Sequence, residues 1–349
     1  MAMAEGLFRA PHKGVVDVPA RGRVEVKRVK LSGSDVPCLI RVKLEGEFSS
    51  LNLLLEAEGA SRAFKYYEGV YSLIVKKPGE YSLVLSNEKS YDQREIWYEI
   101  HGSRLYRVKG LIRVYKVKEF SPRTLLVTDG RRFMVLKRIS HIQDVLEAER
   151  YSGISAWLAV RHEQVPRLLH ANFERMYTLS EYVEGKPLSK IIERYRRERV
   201  NRDPVEIARI IRELLNPLMY ASKLGIIHRD VKPANVIVSP RGRVYLIDWE
   251  LACWLKDCHR PVGQYPYAPP EAGEGEYDER SDVYSLGVII AEALRALGEQ
   301  LPGGTELGGI AEDKARELKK LSEDMRAKEP QARPGLEEVS RRLEDIIGR

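Results

Sequence analysis

The hydrophobic period changes once along this chain, and that change limits the folds open to it. Through the first hundred residues apolar side chains tend to recur at every second position. Residues 23–31, "RVEVKRVKL", alternate as a half-buried strand must. Residues 38–46, 51–59, 71–87 and 96–102 continue the series, with turn signals at Ser32-Gly33, Gly59, Pro78-Gly79 and Ser86-Asn87. Short strands at this spacing predict an antiparallel all-β sandwich over residues 1–105. Within it, "KKPGEYSLVLSN" reads as a hairpin turning at Pro78-Gly79. After about Gly102 a second set of strands is predicted over 112–120, 125–130 and 132–138. The period then lengthens to three and four. Residues 203–225 carry an Asp cap, a first-turn Pro and a terminal Gly. "ARELKKLSEDMRAK" and "GLEEVSRRLEDIIG" repeat the helical pattern. A small sheet followed by a helical mass predicts a second, α+β bilobal domain over 106–349.

A length of 349 residues suits two domains. With 43% hydrophobic and 31% charged residues, the chain can bury a core and is not globally disordered. The net charge of +7 is spread over both halves, so a nucleic-acid partner is not expected. Three cysteines are too few for a disulfide framework and point to a reducing compartment. The N-terminus lacks the apolar core of a signal peptide. Residues 283–297 are interrupted by Tyr284, Ser285, Glu292 and Arg295, which leaves them too short and polar to span a membrane. The expectation is a cytoplasmic protein. Six Asn and six Gln in a highly charged chain lean towards a heat-adapted, prokaryotic source.

The most specific segment is "IIHRDVKPANVIV", residues 226–238. It is followed by "YLIDWE", "YAPPE", "SDVYSLG" and "ARP". In this order and spacing the residues resemble the eukaryotic-type protein kinases, over roughly 109–349. The resemblance implies ATP and Mg²⁺ as cofactors and a Ser/Thr hydroxyl of a protein as acceptor, with a small lobe over 109–182 and a large lobe over 183–349. Phosphoryl transfer passes through a loose transition state, so the protein mainly positions groups and neutralises charge. Asp230 is expected to orient the attacking hydroxyl, because an ionised carboxylate only accepts hydrogen bonds. Lys232 would neutralise the moving phosphate. Asn235 and Asp248 would offer hard oxygens to Mg²⁺. Lys137 would grip the α- and β-phosphates, paired with Glu147 or, preferably, Glu149. Ser180 would be a small gatekeeper, Glu181 to Val183 would face adenine, and Val135 and Ile237 would sandwich its ring. His228 and Arg229 would position the catalytic loop. Glu271 would pair with Arg333, and Asp282 would hold the loop's backbone.

The segment "PGEYSLVLSNEKSYDQREIWYEI" resembles the last strands of GOLD-type sandwiches, which implies an interaction module with a protein ligand; a generic immunoglobulin- or jelly-roll-like sandwich is the alternative.

Several features depart from the kinase pattern. The phosphate-covering segment, residues 119–127, contains no Gly, although Gly lets backbone N–H groups approach phosphate. That favours a pseudokinase scaffold as an alternative. The metal-site tripeptide is Asp248-Trp249-Glu250, similar to "DWE" in some choline- and aminoglycoside-kinase-like enzymes, which keeps a small-molecule kinase as another alternative. Residues 249–264 hold no Ser, Thr or Tyr, so an ordinary activation-loop phosphosite is absent there. Cys253 and Cys258, with His259 beside the second, read as two unpaired thiols, and a redox switch is the alternative. Finally, the basic run over 193–202 reads as a solvated helix face, and the Gly-rich 298–312 suggests a reduced substrate-docking helix.

Overall fold

The computed structural model of the chain describes residues 12–31, 38–45, 51–57, 60–67, 70–87, 94–104, 106–107, 114–129, 132–138, 147–172, 177–197, 203–258, 261–298 and 309–348. It divides into two compact units, Met1–Arg138 and Ile139–Arg349.

Among the described residues the first unit opens with nine strands: β1 (His12–Val18), β2 (Arg23–Leu31), β3 (Cys38–Glu45), β4 (Asn52–Ala57), β5 (Ala60–Ala63), β6 (Lys65–Tyr67), β7 (Val70–Val75), β8 (Gly79–Ser86) and β9 (Arg94–Arg104). They form a five-stranded sheet in the order β1-β9-β3-β7-β6 and a four-stranded sheet in the order β2-β8-β4-β5. All described pairings within these sheets are antiparallel. Ile40, Val42, Ile96 and Ile100 of one sheet meet Leu53, Leu55, Leu83 and Leu85 of the other in one buried cluster. Full burial of such side chains is worth about 1.5–3 kcal/mol each, which is why the alternation dictates the sandwich. In β2 the register against β8 shifts between Glu25 and Lys27, a bulge that breaks the strict alternation.

The expected Pro78-Gly79 hairpin is not one. β7 pairs with β3 and β6, whereas β8 pairs with β2 and β4. The Pro-Gly link therefore carries the chain from one sheet to the other. The Tyr81 hydroxyl anchors it by donating to the Lys77 carbonyl at 2.8 Å. Both arms send alternate residues into the shared core (Val75 from one layer, Leu83 and Leu85 from the other), so the pattern alone did not distinguish a turn from a crossover.

Four further strands follow among the described residues of this unit: β10 (Tyr106–Arg107), β11 (Tyr115–Ser121), β12 (Thr124–Thr128) and β13 (Phe133–Arg138). They run antiparallel in succession from β10 to β13. Residues 88–93 of the GOLD-like segment and the Ser32-Gly33 and Gly59 turns lie outside the described residues.

The second unit is mainly helical: α1 (Glu147–Ala159), α2 (Leu188–Arg197), α3 (Val205–Lys223), α4 (Glu279–Gly298), α5 (Gly309–Met325) and α6 (Leu336–Gly348). Its strands are short: β14 (Leu168–Asn172), β15 (Tyr177–Glu181), β16 (Lys186–Pro187), β17 (Ile226–Ile227), β18 (Val236–Val238), β19 (Val244–Leu246) and β20 (Cys253–Trp254). The core centres on α3, whose Ile211, Leu214 and Leu215 pack in one cluster with Ile289 and Ile290 of α4, Leu318 of α5 and Leu343 of α6. Asp203 Oδ1 accepts the Val205 amide at 2.9 Å and caps α3. Gly225, with φ 72°, lies just beyond the helix end. From there the chain passes directly into β17 and the loop that follows it. The hairpin of β18 and β19 returns it to Asp248.

Among the described residues no helix is long and apolar enough to cross a membrane. Within the basic run, Arg196 pairs with Glu292 at 3.2 Å and Arg197 with Glu193. Residues 198–202, and 299–308 of the Gly-rich stretch, lie outside the described residues.

Candidate active site

The loop after β17 is held by a single buried carboxylate. Asp282, on α4, accepts the amides of His228 at 2.8 Å and Arg229 at 3.0 Å, one on each oxygen. Burial pushes its carboxyl upward, and these two donors and the neighbouring charges oppose that shift. The clamp explains how Arg229 can hold φ 62°, a left-handed conformation that costs a non-glycine residue about 1–3 kcal/mol. His228 is fully buried and packs edge-on against Trp249, with ring centroids 4.6 Å apart. Its Nδ1 accepts the Asp230 amide at 3.2 Å, so Nε2 carries the proton and donates to the Ile247 carbonyl, also at 3.2 Å. Desolvation lowers its pKa. His228 is thus a neutral brace between the loop and Ile247, the residue after β19.

Asp230 sits at the end of this brace, 7% exposed. Lys232 Nζ donates to both of its carboxylate oxygens, at 2.9 and 2.8 Å. Asn235 Nδ2 donates to the Asp230 carbonyl at 2.9 Å and to Oδ2 at 2.8 Å. Burial raises the Asp230 pKa, and Lys232 counters that shift. A third acceptor completes Lys232: Gln264 Oε1 lies 3.1 Å from Nζ. Asn235 ends the short 3₁₀ turn Pro233–Asn235, and its carbonyl accepts the Ile247 amide at 2.9 Å. That bond sets Asn235 beside the chain that leads to Asp248, which has φ 66°.

The hinge candidates lie in the same unit. Ser180 is buried on β15, and the Glu181 amide donates to the Arg167 carbonyl at 2.9 Å. The Glu181 carboxylate binds the Arg167 guanidinium, with Nε–Oε1 at 2.7 Å. Val183 is half-buried, and Ile237 is buried on β18. Gly185 follows with φ 156°; a Cβ there would lie 2.4 Å from the Val238 carbonyl and 2.6 Å from Ile237 Cγ2. Only glycine lets the segment approach β18 so closely. In the first unit, Lys137 and Val135 lie on β13, opposite Thr124 and Leu126. The glycine-free segment forms the β11–β12 hairpin, with Pro122 and Arg123 at its turn and the Arg138 amide bound to the Arg123 carbonyl at 2.7 Å. Glu147 and Glu149 belong to α1, and their side chains lie outside the described residues.

Lower in the unit, Arg333 uses all five of its N–H donors. Two go to Glu271, at 2.6 and 2.7 Å, and the others reach the carbonyls of Ala327, Lys328 and Arg280. Its side chain is fully buried.

A protein-family model described as the protein kinase domain matches residues 123–347. The chain belongs to the protein kinase domain family. It is 36% identical over 137 residues to a putative cyclin-dependent kinase F-2 of Oryza sativa subsp. japonica, covering 38% of this chain and 41% of that one. It is 31% identical over 209 residues to a probable serine/threonine-protein kinase nek2 of Dictyostelium discoideum, covering 56% and 47%. A probable serine/threonine-protein kinase PknB of Bifidobacterium longum is 36% identical over 128 residues, covering 34% and 18%. The matches thus span less than half the length of each of these relatives.

The kinase domain's departures have structural partners that the sequence did not suggest. Glu250, where the family motif has Gly, is tied to β15: Thr178 Oγ1 donates to Glu250 Oε1 at 2.9 Å. Its backbone carbonyl lies 2.0 Å from where a Cβ on Gly153 of α1 would stand. Trp249 is fully buried and donates from Nε1 to the Leu246 carbonyl at 2.9 Å. The tripeptide is therefore wedged between α1 and β15. Thr178 and Gly153 carried no sequence signal of this role, whereas Gln264 lies close to the recognised "YAPPE". The unpaired-thiol reading of Cys253 and Cys258 is corrected: they are joined as a disulfide, with their Cα atoms 5.7 Å apart. Cys38 is buried and lies outside this disulfide. His259 lies outside the described residues.

Proposed function

We propose that this chain transfers the γ-phosphoryl of ATP to a Ser or Thr hydroxyl of a protein substrate. The observation that carries this reading is the Asp230–Lys232–Asn235 cluster, a buried carboxylate whose orientation is set by two donors on its own loop. Asp230 orients the acceptor hydroxyl and takes its proton as the bond to phosphorus forms. Lys232, two residues on, neutralises the phosphoryl oxygens. Asn235 and Asp248 fit Mg²⁺: the Asn235 amide nitrogen is bound to Asp230, so its Oδ1 and the Asp248 carboxylate are the hard oxygens that would hold the ion. When bound, Mg²⁺ offsets the charge of the phosphate oxygens. Lys137 with Glu149 is assigned to the α- and β-phosphates. Ser180, Glu181, Val183, Val135 and Ile237 are assigned to the adenine end. His228, Arg229 and Asp282 position the loop, and Glu271 with Arg333 supports it from below. The N-terminal sandwich is assigned to a protein partner. In support, Val15 and Trp97 are neighbours across β1 and β9, 42% and 58% exposed.

The Asp248-Trp249-Glu250 tripeptide favours one rival, a small-molecule kinase. The two separate on labelled ATP offered with Ser/Thr-rich proteins, choline or aminoglycosides. Label in phosphoserine or phosphothreonine, lost on chelation of Mg²⁺, is expected. Label confined to a small alcohol would overturn the protein-kinase reading.

A further inference from the structure

We propose that Cys253 and Cys258 are a redox-controlled staple that orders the activation segment against the catalytic loop, in the role that a phosphorylated hydroxyl would otherwise serve. The proposal rests on the kinase reading above for its effect on turnover, though not for its chemistry.

Residues 249–264 contain no hydroxyl to phosphorylate. In its place the segment carries two cysteines five residues apart, and the 3₁₀ turn Leu255–Asp257 folds the chain back to bring them together. The Cα separation of 5.7 Å lies within the range a disulfide requires. Both partners sit against catalytic structure. Cys253, on β20, pairs in register with Ile227, the residue before His228. Cys258 joins the same buried cluster, against which Tyr277 packs.

Tyr277 connects the staple to the rest of the segment. Its hydroxyl accepts the Val262 amide and donates to the Val262 carbonyl, each at 2.7 Å. Arg229 lies over its ring at 5.2 Å and donates from Nε to the Leu251 carbonyl at 2.7 Å. Two residues beyond Val262, Gln264 reaches Lys232. The bonded loop thus lies between the catalytic loop on one side and the residues that meet Lys232 on the other. When it opens, Cys258 loses its covalent tether to β20 while the peptide chain stays intact. Cys258 Sγ lies 3.2 Å from the Trp254 carbonyl, an acceptor within reach of the thiol that reduction would release.

The chemistry balances with a disulfide oxidant, R–S–S–R. One cysteine thiolate attacks it, forming a mixed disulfide and expelling one thiolate. The second cysteine thiolate then displaces the other. Two electrons pass to the oxidant, and the two cysteine protons end on two R–SH molecules. A dithiol reverses the sequence. The sulfur-bearing residues are 0% and 3% exposed, so exchange follows opening of the turn.

The test uses the full chain equilibrated in glutathione buffers of graded poise, then quenched by alkylation. Mass spectrometry counts free thiols on residues 253–258, while turnover on a Ser/Thr-rich protein is read in parallel. The expected result is a two-thiol, two-electron transition. Turnover should fall about fivefold or more on reduction, the scale of an ordinary coupling between sites. The double variant C253S/C258S should match the reduced wild type and ignore the buffer. Trypsin cleavage at the exposed Lys256 should accelerate in the reduced form, a readout independent of activity. Three results would each overturn the proposal: a pair that stays dithiol under full oxidation, equal Lys256 cleavage in both forms, or a turnover ratio near one. Absence of turnover in both forms, with the thiol and cleavage transitions intact, would instead refute the kinase reading.

Discussion

Removing the Glu271 carboxylate should be among the most damaging single changes to the second unit. Arg333 is fully buried, and Glu271 is its only carboxylate among the described ion pairs. Three backbone carbonyls complete the guanidinium, and the Tyr284 ring lies 5.0 Å from it. Glu271→Ala leaves this charge with dipoles alone and also frees Ser281 Oγ, which donates to Glu271 Oε1 at 3.0 Å. Breaking a buried pair from one side costs about 3–5 kcal/mol. Arg333→Met removes the charge itself but orphans three carbonyls and the Glu271 carboxylate. The double variant E271A/R333M carries no uncompensated charge, so its cost should fall well short of the sum of the two. A coupling of about 2–3 kcal/mol is expected, within the range for residues of one network. The assay is urea unfolding followed by tryptophan fluorescence in a W97F background, because Trp157, Trp249 and Trp254 all lie in the second unit. A loss below about 1 kcal/mol for E271A, or strict additivity in the double variant, would refute this reasoning.

Protonation of His228 should destabilise the fold in acid. Because burial lowers its folded pKa, its contribution is intact above the unfolded value of about 6.5 and is lost as pH falls below it, at up to about 1.4 kcal/mol per pH unit. Unfolding measured between pH 7.5 and 5.5 should show this slope flattened in H228N. Gly153→Ala adds a Cβ 2.0 Å from the Glu250 carbonyl. The overpacking cost of about 1–3 kcal/mol exceeds the helix-propensity gain of about 1 kcal/mol. Thermal unfolding should therefore show a net loss for G153A, where an exposed helical glycine would show a gain. Gln264→Ala removes one of three acceptors of Lys232, worth about 1 kcal/mol or roughly fivefold in kcat, with the KM for ATP unchanged in steady-state assays.

The 226–238 loop was legible because the phosphoryl transfer proposed for it needs particular residue types at short spacing. Asp230, Lys232 and Asn235 fall within six residues, and Asp282 clamps the backbone just ahead of them. The sandwich was legible as alternation, but its connectivity was not. Val75 and Leu85 face one core from different sheets, and a Pro-Gly pair serves a crossover as well as a hairpin. What stayed hidden depends on tertiary distance. Thr178 and Glu250 are 72 residues apart, and neither type signals the other. Gly153 inside a helix reads as a weak position until a backbone carbonyl is found against it. The cysteines were visible, but a five-residue spacing permits a bond only if the chain between them turns, as Leu255–Asp257 does.

The most direct measurement is label transfer from γ-labelled ATP to a Ser/Thr-rich protein, comparing wild type with Asp230→Asn at equal folded concentration. Asn keeps the shape of the side chain but cannot take the hydroxyl proton, so kcat should fall about 10²- to 10⁴-fold. The substrate KM should change little, and the wild-type label should appear on serine or threonine. Turnover in D230N equal to wild type would show that Asp230 is not the group that orients and deprotonates the acceptor.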